Sequence, residues 1–177
     1  TVWRYREGDS PRDAQGNYLW LQSLQSSDEG WSIYNYPHQP PLTADAHGFV
    51  WLTTVLPAEA YGSPMLFFTT TEESFRVFLN DRLIYQYGDL PYRRFSYGMK
   101  WPLVGLPAHY VGMRLTFQIY SSHAHRLGAF DRMSIDDSVS QMKRLFQYDA
   151  MYVVAFPAAL IMFLIVGACY FGQCARR

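Results

Sequence analysis

Between Met151 and Gly172 the chain carries no charged side chain for 22 residues, and this gap constrains the fold more than any other feature. About 20 apolar residues in an α-helix, rising 1.5 Å each, span the ~30 Å hydrocarbon core of a bilayer, whereas a helix in a globular core seldom needs that length. The segment predicts a transmembrane helix, with a buried or re-entrant hydrophobic helix as the other reading. Its length and C-terminal place exclude a cleaved signal peptide. Of the 30 charged side chains, 28 lie in residues 1–150, and Arg176 and Arg177 follow the span directly.

Basic residues beside a span mark its cytoplasmic side. Lys143 and Arg144 nearly balance Arg176 and Arg177, but a folded domain translocates largely regardless of its charge. The expected arrangement places the N-terminal domain outside an inner membrane and the C-terminus in the cytoplasm. Both cysteines, Cys169 and Cys174, fall in or just after the span. The outer part therefore has no disulfide scaffold, which fits a bacterial periplasm. With 13 basic and 15 acidic residues it also has no basic face to suggest nucleic acid. The chain opens with Thr1, so a preceding piece is expected to have been removed.

Strand signals recur before residue 137. "GFVWLTTVLP" alternates, with Phe49, Trp51, Thr53 and Val55 on one face. "ESFRVFLNDRLIYQYGD" reads as a hairpin in which Phe75, Val77 and Leu79 share a face, and Asn80-Asp81 suits the positive φ angles of a two-residue turn. "RLTFQIYSS" places Leu115, Phe117 and Ile119 together, and "LGAFDRMSID" is a weaker last strand. Within 1–45, "YLWLQSL" and "WSIYNYP" are candidate edge strands between loops. No helical pattern separates the strands, so a parallel α/β sheet is excluded and an all-β, jelly-roll-like sandwich is predicted. From Asp137 the period changes: Val139, Met142, Leu145 and Phe146 take helical spacing, and Asp136 or Asp137 suits the N-cap. No Gly or Pro interrupts Ser138 to Phe156, so one continuous helix is expected to leave the sandwich and enter the membrane, bending locally at Pro157. The domain reading is residues 1–136 as sandwich (1–45 its loop-rich edge), 137–150 as juxtamembrane helix, 151–172 as transmembrane helix and 173–177 as a cytoplasmic stub.

"VFLNDRLIYQYGDL", "WPLVGLPAHYVGMRLTFQIYSS" and "LGAFDRMSIDD", in that order before an apolar helix, resemble the galactose-binding-like jelly roll and first membrane helix of bacterial seven-transmembrane receptors with diverse intracellular signalling modules. The resemblance covers about residues 45–177 and rests on pattern and order. It implies the input half of a receptor that senses a ligand or a periplasmic protein, forms a homodimer and relays a conformational change to a cytoplasmic diguanylate cyclase or histidine kinase. This chain departs from the family in having one span and no output domain.

The stretch "YQYGDLPYRRFSYGMKW" is the leading binding candidate. It combines Tyr85, Tyr87, Tyr92 and Trp101 with Arg93 and Arg94 in a Gly/Pro-rich loop, a set suited to a sugar or an acidic small molecule. Packing of the same aromatics at the end of the sandwich is the other reading, and Tyr36, Trp51 and Tyr61 are further candidates for a binding face. His123 and His125 would need a third ligand, Asp131 or His109, to hold a metal, and Asp131, Asp136 and Asp137 lack a calcium-loop spacing. Glu72 and Glu73 are adjacent and read as exposed charges rather than a glycosidase pair. Without a nucleophile elbow or a phosphate loop, neither catalysis nor a cofactor is expected. A membrane-tethered carbohydrate-binding or assembly module is the alternative to a sensor.

Overall fold

The computed structural model describes residues 1–43, 48–91, 100–123, 125–150 and 154–174, with backbone alone for 148–150 and 168–174. Among the described residues there are nine strands: β1 Trp3–Glu7, β2 Ser32–Tyr34, β3 Phe49–Val55, β4 Pro64–Thr69, β5 Ser74–Leu79, β6 Arg82–Tyr87, β7 Leu103–Gly105, β8 Arg114–Tyr120 and β9 Asp131–Asp137. Six form one antiparallel sheet in the order β2-β1-β3-β8-β5-β6, and three form another in the order β7-β4-β9. The chain crosses between sheets from β3 to β4 to β5 and again from β6 to β7 to β8, which gives the sandwich its jelly-roll character.

The two sheets share one core. Val50, Leu52, Phe75, Val77, Leu115, Phe117 and Ile119 from the large sheet meet Leu66, Phe68 and Val104 from the small one, and all are at most 3% exposed. Aromatic rings occupy the centre: Phe117 lies 5.4 Å from Phe68 and 4.8 Å from Phe130, both edge-on. Edge-to-face pairs add about 0.5–1.5 kcal/mol each to the area they bury.

The outer face of the large sheet is also covered. Trp51 and Phe78 stack at 5.8 Å and pack with Leu21, Leu24 and Trp31 in a second apolar cluster. Leu21 and Leu24 belong to the stretch predicted as an edge strand, and this is corrected: Leu19–Ser23 is a short helix, α1. The run lacks β-branched residues, and its i, i+3 leucines reach the sheet only when coiled. The second candidate, "WSIYNYP", does contain an edge strand, β2.

The β5–β6 turn differs in detail from expectation. Asn80 alone takes a left-handed φ, 56°, while Asp81 does not. Two bonds to β8 fix Asn80: its N–H donates to Arg114 O at 2.7 Å, and its Oδ1 accepts from Arg114 N at 2.9 Å. With the turn pinned across the sheet, a single left-handed residue suffices.

The chain divides into a unit of Thr1–Asp137 and a unit of Ser138–Arg177. In the second, α2 runs over Ser138–Ala150 and α3 over Phe156–Cys174. Residues 151–153, through which the expected continuous helix would pass, fall outside the described residues, and Val154–Ala155 form a π-type turn before α3. Pro157 follows at the second position of α3. Side chains of α3 are described to Gly167, over which a helix rises about 18 Å. Among the described residues no helix is long and apolar enough to cross a membrane.

Candidate functional site

The predicted aromatic loop is only partly in view. Tyr85 and Tyr87 project from β6 onto the core, where their rings lie 6.0 and 5.6 Å from that of Phe75. Packing of the sandwich thus engages both. Lys100 Nζ lies 5.7 Å from the Tyr87 ring, and Trp101 is half-buried just before β7. Tyr92, Arg93 and Arg94 lie outside the described residues.

His123 and His125 stand edge to face at 5.7 Å, and His123 Nδ1 is 4.0 Å from Glu72 Oε2. Among the described residues no group of three His, Cys, Asp or Glu side chains is placed to hold a metal. Asp137 Oδ1 accepts from the Ser63 N–H, and Asp136 Oδ1 from the Asp137 N–H, so these carboxylates fasten the end of β9.

The reading of Glu73 as an exposed charge is corrected, since it is 1% exposed. The Thr70 hydroxyl donates to its Oε2, and the N–H groups of Gly128 (2.6 Å) and Ala129 (3.3 Å) donate to Oε1. Burial pushes its carboxyl up to about 8, against the opposing pull of these donors and of Arg126. Sequence reasoning had no signal for this, because Gly128 and Ala129, which donate to Oε1, lie 55 and 56 residues away.

An apolar recess lies between the ends of the two sheets. It encloses about 380 Å³, within the ~300–1,000 Å³ of small-molecule sites. Leu56, Leu66 and Leu115 line it, Trp3 and Tyr36 supply one aromatic wall, Tyr61 and Glu59 stand at its mouth, and Met133, Ser134 and Ile135 of β9 close the far side. Trp3 and Tyr36 stack at 5.0 Å. The Tyr36 hydroxyl accepts from the Met133 N–H at 2.9 Å, which ties the aromatic wall to β9.

Glu59 is held from two sides. The Tyr61 hydroxyl donates to Glu59 Oε2 at 3.1 Å, and the hydroxyl of fully buried Tyr110 donates to the Glu59 carbonyl. The Tyr61 phenol is raised first by its bond to the carboxylate, whereas Tyr36 and Tyr110 are raised first by burial. All three remain protonated donors at neutral pH. The cleft thus offers rings, an apolar floor and one carboxylate. Tyr36 and Tyr61 were named as aromatic candidates from sequence, but Trp51 sits on the opposite face of the large sheet and takes no part. Glu59 stands two residues before Tyr61 in the chain, whereas nothing local linked Trp3 to them.

No protein-family model and no curated protein matches this sequence. Solved structures to which it is similar include a β-glucuronidase of Faecalibacterium prausnitzii, at 18% identity and TM-score 0.44 over 68% of this chain. Another is a glycosyl hydrolase family 2 member from Bacteroides cellulosilyticus, at 16% identity and TM-score 0.46 over 77% of this chain. The chain spans about 20% of the length of each.

Proposed function

We infer that residues 1–137 form an extracytoplasmic ligand-sensing domain, carried by a membrane helix, whose ligand occupies the aromatic cleft. The observation that carries this reading is the cleft's far wall. Met133, Ser134 and Ile135 are consecutive residues of β9, and β9 runs directly into α2 at Ser138. An occupant that displaces Tyr36 or spreads the wall acts on the strand from which α2 departs. To count as sensing, the ligand must prefer one of two positions of β9.

The chemistry favours a ring compound, a sugar or an aromatic, that offers a hydroxyl or an amine to Glu59. An acidic ligand would meet the Glu59 carboxylate and is disfavoured in this cleft. Membrane attachment is supported by α3, which is apolar on all sides. Phe156, Ile161, Phe163, Leu164, Ile165 and Val166 are each more than half exposed, as suits lipid contact rather than a globular core. No catalytic step is proposed.

Titration of neutral sugars and aromatic amines into the full chain in a non-ionic detergent, read by calorimetry, tests the site. A bound ligand should lose about tenfold or more in affinity in Glu59→Ala and Tyr61→Ala, consistent with one lost charge-assisted bond and one lost ring. Unchanged affinity in both variants would place the site elsewhere. Amide exchange in 133–150 should change on binding. Binding without that change would leave a tethered binding module in place of a sensor.

A further inference from the structure

A second cleft, of about 530 Å³, opens on the outer face of the large sheet beside α1, and it shares no lining residue with the aromatic one. Two arginines converge there. Arg12 Nη2 and Arg76 Nη1 both donate to the Tyr18 hydroxyl, at 2.8 and 2.6 Å. Arg76 also donates through Nε to Gln86 Oε1 at 2.9 Å and through Nη1 to Gln118 Oε1 at 3.2 Å. Every acceptor is neutral. The ion pairs among the described residues use other arginines, Arg4 and Arg114 on Asp28 and Arg132 on Asp131. This network reaches a negative charge one step removed, at Asp9, which accepts from Gln118 Nε2 at 2.6 Å. Asp81 lines the cleft at the tip of the β5–β6 hairpin and pairs with neither arginine.

The donor arithmetic is one-sided. Both arginines already donate to the Tyr18 oxygen, so its own proton must donate outward, and no acceptor among the described residues takes it. Arg76 Nη2 and Arg12 Nε and Nη1 likewise donate to no group among the described residues. A phenol O–H and two guanidinium edges therefore border one recess with donors that none of its described side chains takes up. The arrangement is held in advance of any ligand. Arg12 and Tyr18 face each other across a bridged turn, closed by Asp13 through the N–H groups of Gln15 and Asn17. Asp13 is thereby engaged with the turn and with the Gln22 amide at 3.0 Å. Asn17, Gln22 and Gln86 add amides to the walls, and Phe78 and Leu83 add an apolar side.

We propose that this cleft is a second ligand site, one that binds an oxyanion, a carboxylate or phosphate monoester, borne on a small hydroxylated molecule. The guanidinium forks and the Tyr18 hydroxyl take the anion, as arginines do at carboxylates and phosphates. The amides take hydroxyls, and the Phe78–Leu83 side takes the carbon skeleton. A bare ion would leave most of the volume unfilled.

Calorimetric titration of the full chain in a non-ionic detergent at low salt tests this with gluconate, glucose 6-phosphate and glucose. At least one anion should bind, with glucose about tenfold or more weaker, and whichever anion binds identifies the head group. Arg76→Gln and Arg12→Gln should each weaken the bound anion by about tenfold, the worth of one charge-assisted bond. Arg12 is exposed, so its variant preserves the test should Arg76→Gln fail to fold. Equal binding of glucose, undiminished anion binding in Arg12→Gln, or no binding of either anion up to about 10 mM would each overturn the proposal. The inference does not rest on the aromatic cleft, and either site can fail without the other.

Discussion

Replacing Glu73 by glutamine should change how the stability of the sandwich depends on pH. The native carboxyl sits at about 8 against an ordinary value of 4.5, because burial penalises its charge. Between those two values the folded state holds a proton that the unfolded chain has released. The contribution is therefore fully present below pH 4.5 and is lost as pH rises toward 8. The slope is about 1.4 kcal/mol per pH unit, so on the order of 2.5 kcal/mol disappears between pH 5 and pH 7. Glutamine mimics the neutral acid: its Oε1 still accepts from Gly128 and Ala129, and its amide donates to the Thr70 hydroxyl. Urea unfolding of both proteins at pH 5, 6 and 7 measures the difference. The variant should gain on the native protein by roughly 2–3 kcal/mol across that range, equivalent to about 5–10 °C in Tm. Parallel pH profiles would refute the reasoning, because they would mean that Thr70, Gly128, Ala129 and Arg126 together offset the cost of burying the charge.

Three further substitutions probe the frame that positions the clefts. Phe117→Ala should cost about 3–5 kcal/mol in urea unfolding, since it removes the ring that Phe68, Phe130 and Trp3 surround. Gly128→Ala should lower stability by about 1–3 kcal/mol, because Gly128 has φ +74° and an added Cβ would stand 3.1 Å from Pro40 Cγ and 3.2 Å from Val50 Cγ1. Asn80→Ala should cost about 1–2 kcal/mol through its left-handed φ and the lost bond to Arg114, and Asn80→Gly should recover part of that by relieving the backbone alone.

What was legible in the sequence depended on range. Phe49–Val55, Ser74–Leu79 and Arg114–Tyr120 revealed themselves by alternation, because one face of each meets the other sheet. The outer positions Trp51 and Phe78 broke the usual polar half of that pattern, and the cover they require, α1 with Trp31, is five residues of helix plus a loop, too short for any period. β1 went unrecognised for a related reason: "WRYRE" alternates aromatic and charged residues, but loops adjoin it and its partners are found 30 to 50 residues away. The turn at Asn80 was recognised by local chemistry and misjudged at Asp81, because β8 supplies restraint that a hairpin alone lacks. The binding candidates divide in the same way. Aromatic density drew attention to Tyr85 and Tyr87, which spend their rings on Phe75. The clefts assemble from residues scattered between Thr1 and Ile135 that only tertiary folding collects.

Among the described strands, the small sheet places β9 at an edge, paired with β4. Its final pair sets Asp137 opposite Pro64, which has no N–H to give, and the ladder there is completed by the Ser63 amide reaching the Asp137 carboxylate. A pull or twist entering the chain at Ser138 meets this joint first. The joint resembles a zipper whose last tooth is a side chain.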